Sequence, residues 1–142
     1  IKQIKPDVRI IGVEPVGAPS LKHSLDLGRL EALPEVRTIA DTLAPQSVSD
    51  RTLTLVQKYV DDLVLVEDAA MIEAMHWLWL NYNQLVEPAG VAVLAALKQI
   101  DVSKYQRPVA LICGGNAAAD SVWSYYEQVG IKKGTIAPKM QA

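Results

Sequence analysis

One cysteine and two histidines in 142 residues leave little room for several kinds of chemistry. A lone Cys113 cannot close an internal disulfide, which points to a reducing, cytoplasmic setting. Neither His23 nor His76 stands at a metal-binding spacing from another His or Cys. No apolar run approaches the length of a membrane span. The formal charge is −2 and there is no basic run, so neither nucleic acid nor an anionic membrane surface has an electrostatic footprint to follow. The opening residues "IKQIKPDVRI" lack the apolar block of a signal peptide. Internal repeats and low-complexity linkers are also missing, which speaks against solenoid or tail-like architectures.

What is there is the composition of a chain that folds. Half of the residues are hydrophobic and 21% are charged, the profile of a soluble globular domain with a core of its own. Three short runs are nearly all apolar at their centres: "VRIIGVEP" at 8–15, "DDLVLVED" at 61–68 and "PVALICGG" at 108–115. Continuous apolar runs of this length are expected of parallel strands covered on both faces. Helical patterns lie between them. One runs from Pro19 to Leu27 and is stopped by Gly28; another is capped by Ser49 and runs through Tyr59. The longest candidate, "EDAAMIEAMHWLWLNY" at 67–82, carries acids in its first turn, where the macrodipole favours them. Gly90 to Ile100 is apolar enough to be buried. The expected fold is α/β, with right-handed parallel crossovers. The irregular stretch from Gly28 to Ser49, broken by Pro34 and Pro45, is long enough to suggest a functional loop. The last residues, 131–142, offer little to bury and are expected to be a loosely held tail.

Candidate chemistry is sparse. Cys113-Gly114-Gly115-Asn116 closes the third apolar run and leads into a helical pattern. Glycines there either make a tight strand-to-helix turn or let backbone N–H groups approach a ligand at the carboxyl end of a strand. Glu87 lies between two apolar runs, where an unpaired carboxylate would be costly. It either caps the helix that follows or faces a polar ligand, and from the residues alone the cap has the edge. His76, flanked by Trp77 and Trp79, reads as a packing residue, as do Met71 and Met75. Asp61-Asp62 reads as a solvated turn.

Five segments in order, "IIGVEPVGAPSL", "TIADTLA", "YVDDLVLVED", "LVEPAGVAVLAAL" and "VALICGGN", resemble the serine/threonine dehydratases, a family that includes serine racemases within the second fold type of pyridoxal-phosphate enzymes. The resemblance runs to Asn116 and covers only the C-terminal part of such an enzyme, so residues 1–130 are expected to be the C-terminal part of its cofactor-binding domain. It implies pyridoxal 5'-phosphate as cofactor and elimination of water from L-threonine or L-serine to a 2-oxoacid and ammonia. It further implies a homo-oligomer when complete, and Cys113 facing the cofactor's pyridine nitrogen, with Gly114, Glu87 and Thr42 beside it. A neutral thiol there does not hold that nitrogen protonated, which suits prompt loss of the β-hydroxyl. Thr42 stands where the family has a glycine. Serine-racemase-like members bind a divalent cation at positions matched by Glu14 and the Ala18 carbonyl, but their third ligand, an Asp, is Ser20 here, a poor anionic ligand for a hard cation.

None of Lys22, Lys58, Lys98 or Lys104 stands in a motif like that of the family's Schiff-base lysine, which, with the phosphate-holding glycine loop, is expected in an N-terminal part of the same enzyme. No regulatory domain is expected after Asn116. Two other readings stay open: a racemase or β-replacement synthase of the same fold type, and a non-catalytic module that binds a small molecule or a protein.

Overall fold

The computed structural model describes residues 1–132; the expected tail at 131–142 lies almost wholly outside them. Two strands, β1 (Ile11–Pro15) and β2 (Asp62–Val66), pair in parallel, Ile11 opposite Asp62 and Pro15 opposite Val66. Between them the chain forms α1 (Ser20–Leu27), an irregular stretch with one 3₁₀ turn (Asp41–Leu43), and α2 (Asp50–Tyr59). After β2 come α3 (Asp68–Tyr82), α4 (Pro88–Leu97) and α5 (Ala119–Gln128).

The helix boundaries follow from local chemistry. Gly28 ends α1 in the left-handed conformation at φ 66°, and Ser49 Oγ accepts the Thr52 N–H to start α2. Such a side-chain cap stabilises a helix by about 1 kcal/mol. Pro88 occupies the first turn of α4, where its missing N–H costs nothing. The start of α1 is capped from a distance: the buried carboxylate of Glu14, on β1, accepts the N–H of Leu21 at 2.8 Å and of Lys22 at 2.9 Å.

The core lies where α4 meets its neighbours. α4 packs along α3 and also against both strands. Val66, Met71, Ile72, Met75, Val91 and Val122 are among the most deeply buried side chains, so Met71 and Met75 are packing residues as their spacing implies. The second seam, between α3 and α5, is aromatic. Tyr126 is buried with its ring 5.0 Å from His76, 5.6 Å from Trp123 and 6.5 Å from Trp79.

Two expectations are corrected. The third run, 108–115, forms no strand among the described residues: Val109 and Leu111 are 91% and 75% exposed. A strand is defined by its ladder, and among the described residues no strand pairs with this run. Asp61 is exposed but is not a bare solvated turn. Its carboxylate accepts the Ile10 N–H at 2.7 Å and pairs with Lys2 at 2.7 Å, and these contacts, the Ile10 bond first, hold its pKa below the ordinary carboxylate value.

Candidate active-site corner

Three segments far apart in sequence meet at one end of α4. The first is the 3₁₀ turn that carries Thr42. It is fixed from α3: Asp68, in that helix's first turn, accepts the Thr38 hydroxyl at 2.5 Å and the Ile39 N–H at 3.0 Å. Thr38 Oγ1 in turn accepts the Ala40 N–H at 3.1 Å, and Ala40 is fully buried. These bonds hold the irregular stretch against the core just before Thr42, and the turn itself packs on α4.

The second segment is the entry to α4. Glu87 occupies the N-cap position, and its side chain makes no capping hydrogen bond. The cap reading is thereby corrected: the backbone of Glu87 enters the helix, but its carboxylate turns away. Glu87 Oε1 instead accepts the Thr42 hydroxyl at 3.3 Å, across 45 residues of sequence.

The third is the Cys113–Gly114 turn. Glu87 N–H donates to the Gly114 carbonyl at 2.8 Å. A Cβ at Gly90, on the first turn of α4, would lie 1.8 Å from the Cys113 carbonyl oxygen, so the two backbones are in direct contact and only glycine permits it. Gly114 has φ +74°, and a Cβ there would lie 2.5 Å from the Glu87 carboxylate. Its conformation disfavours a side chain, and one placed there would displace the Glu87 carboxylate. At Gly115, by contrast, a Cβ would meet nothing within 4 Å. The turn therefore offers an exposed thiol and bare backbone at an open corner, with one carboxylate and one hydroxyl beside it. An exposed thiol and a backbone without side chains leave this corner open to the close approach of a ligand.

The residues singled out from the sequence fall into two groups. Thr42, Glu87, Cys113 and Gly114 come together. Glu14 and Ala18 lie elsewhere, on β1 and the turn after it, where both Glu14 oxygens are taken by α1 and the Ala18 carbonyl accepts the Ser20 N–H at 3.0 Å. No group of three or more His, Cys, Asp or Glu that could hold a metal occurs among the described residues. Sequence reasoning did not single out Asp68, although its place in the acid pair ending "VLVED" was visible; nothing local told that it straps a loop thirty residues away.

Comparison with known proteins places the chain in a family. Residues 1–114 match the family described as pyridoxal-phosphate dependent enzyme. An L-threonine ammonia-lyase of Thermotoga maritima is 38% identical over 117 residues, 82% of this chain and 29% of that protein. A serine racemase of Arabidopsis thaliana is 36% identical over 134 residues, 89% of this chain and 40% of that one. The solved structure of processed threonine deaminase isoform 2 from Solanum lycopersicum superposes with a TM-score of 0.81 at 32% identity, covering 91% of this chain and 38% of that one. The chain thus spans well under half the length of these relatives. It belongs to the pyridoxal-phosphate-dependent enzymes, in the fold type II group that holds the serine/threonine dehydratases and serine racemases.

Proposed function

We propose that this chain is the C-terminal portion of a threonine/serine ammonia-lyase and that it supplies one side of the cofactor site. The observation that carries the reading is the convergence of Thr42, Glu87 and the Cys113–Gly114 turn at one end of α4. Bound pyridoxal phosphate supplies the electron sink that lets Cα lose its proton and the β-hydroxyl leave, giving a 2-oxoacid and ammonia. The chain's own residues orient and tune. The Cys113 thiol would offer the bound cofactor a small polar partner, and the bare Gly114 backbone would leave room for it. Glu87 places a carboxylate at the same edge. The lysine that bonds the cofactor and the loop that holds its phosphate come, in this reading, from the remainder of the enzyme, which also works in the cytoplasm as an oligomer. A divalent cation at Glu14 and Ala18 has less support, because the carboxylate already serves α1.

The test is to assay the complete enzyme and the 142-residue chain side by side with L-threonine and L-serine. The complete enzyme should release 2-oxobutanoate or pyruvate with ammonia; the chain alone should release neither. Release by the purified chain would overturn the division of labour. The similarity to a plant serine racemase keeps a second reading, and conversion of L-serine to D-serine faster than to pyruvate would select it.

A further inference from the structure

We infer that Thr42 is a positioning residue whose hydroxyl latches the Glu87 carboxylate against the Gly114 turn; the inference rests on the reading of that corner as part of the cofactor site. The family's motif has a glycine at this position, and a glycine has nothing to offer Glu87. Here the hydroxyl donates to Glu87 Oε1 at 3.3 Å. The latch has support on both sides. On the Thr42 side, the turn is held by the Thr42 N–H on Asp41 Oδ1 at 2.9 Å and by the Asp68 strap on Thr38 and Ile39. On the Glu87 side, the carboxylate lies where a Cβ on Gly114 would be, 2.5 Å from its Oε1 and 2.7 Å from its Cδ. A carboxylate on a flexible stem at a half-open surface would otherwise sample several rotamers. One donor fixed by a strapped loop on one side, and a glycine turn that leaves room on the other, select one. The residues of a site are most effective when their rotamers are held by a second set of contacts, and Thr42 is that contact for Glu87.

The consequence is a coupling between two positions 45 residues apart, which the double-mutant cycle isolates. Thr42→Val keeps the shape and removes the donor; Thr42→Ser keeps the donor; Glu87→Gln keeps the shape of the acceptor and changes its charge. In thermal unfolding of the full chain, the losses from Thr42→Val and Glu87→Gln should be less than additive in the double variant, and Thr42→Ser should unfold like the wild type. In the complete enzyme, Thr42→Val should lower kcat and kcat/KM for L-threonine together by about five- to tenfold, the pattern of an interaction that matters in the transition state, and Thr42→Ser should restore both to within about twofold. Additive losses in the cycle, or a Ser variant as impaired as the Val variant, would overturn the latch. A clear coupling in the chain with wild-type kinetics for Thr42→Val in the complete enzyme would leave the latch standing and overturn the placement of the corner in the active site.

Discussion

At the scale of single residues, the corner is defined as much by what it excludes as by what it presents. Gly114 combines φ +74° with a carboxylate that fills the space of a Cβ, so two separate penalties meet at one position. The first is conformational, about 1–2 kcal/mol for a non-glycine residue in the left-handed region; the second is steric and belongs to Glu87. They can be separated. Gly114→Ala should lower the stability of the chain by about 2–3 kcal/mol, and combining it with Glu87→Ala should recover the steric share while leaving the conformational one. Thermal unfolding of the two variants and of Glu87→Ala alone measures this, and identical losses with and without Glu87 would show that the carboxylate does not sit against Gly114. Glu14 shows the opposite case, a carboxylate whose local role is complete. Both of its oxygens accept N–H groups of α1 while it is buried. Glu14→Gln keeps one acceptor oxygen and places an amide against an N–H, and should cost about 1–3 kcal/mol, the range for a hydrogen bond to a charged group. Stability of that variant unaltered by added Mg²⁺ or Ca²⁺, as for the wild type, is expected if the carboxylate serves the helix rather than a cation; a rise of several degrees for the wild type alone would return Glu14 to metal binding.

At the scale of elements, the α3–α5 seam carries a buried tyrosine whose hydroxyl finds no partner among the described residues. Burial also pushes its pKa up to about 12, so the group stays neutral. A buried hydroxyl without a partner costs about 1–3 kcal/mol, and Tyr126→Phe should therefore raise rather than lower the melting temperature. A fall would mean that the hydroxyl has a partner after all. His76, which packs edge-on against the same ring, is held below its ordinary pKa by burial. The folded state then binds a proton less readily than the unfolded one, so stability is full above the ordinary histidine value of about 6.5 and declines as pH falls through it toward the lower folded value. Comparing unfolding at pH 7.5 and pH 5.5 in the wild type and in His76→Gln checks this, and the variant should lose part of the dependence. The bounds of α1 and α2 were legible in the sequence because their signals are local: Ser49 three residues before the N–H it caps, and Gly28 just past the last turn. Links between elements were not. Asp68 holds Thr38, and Thr42 holds Glu87, across spans that only the folded chain brings together. At the corner, Cys113, Gly114, Glu87 and Thr42 could be named because each stands in a segment that carries the family resemblance, while the hydroxyl-to-carboxylate contact that joins two of them left no mark in either segment.

At the scale of the whole molecule, the segment 108–113 departs furthest from its sequence. Its residues have the apolar, β-branched character of a buried strand, and the other two runs of that kind do pair. Apolar character sets what a segment can bury, whereas a strand also needs a neighbour to take its N–H and C=O groups. Val109 and Leu111 stand in solvent and Ile112 is 39% exposed, although the segment is anchored at its end, where the Gly114 carbonyl accepts the Glu87 N–H. An apolar edge of this sort is a template for pairing with another chain. The full 142-residue chain should therefore associate as its concentration rises, and the association should depend on this edge more than on the rest of the surface. Val109→Lys and Leu111→Lys together place charge on both exposed positions without touching the anchored turn. Sedimentation velocity over a range of concentrations should show the wild type forming larger species and the double variant remaining monomeric, with far-UV circular dichroism unchanged between them. Because the edge is exposed, the substitution should cost little stability in the chain by itself. In the complete enzyme of the proposed function the same pair should impair folding or cofactor retention, because lysines buried there would lack partners. A double variant that associates as strongly as the wild type would place the sticky surface elsewhere, and one that leaves the complete enzyme intact would mean that the edge stays open to solvent there too.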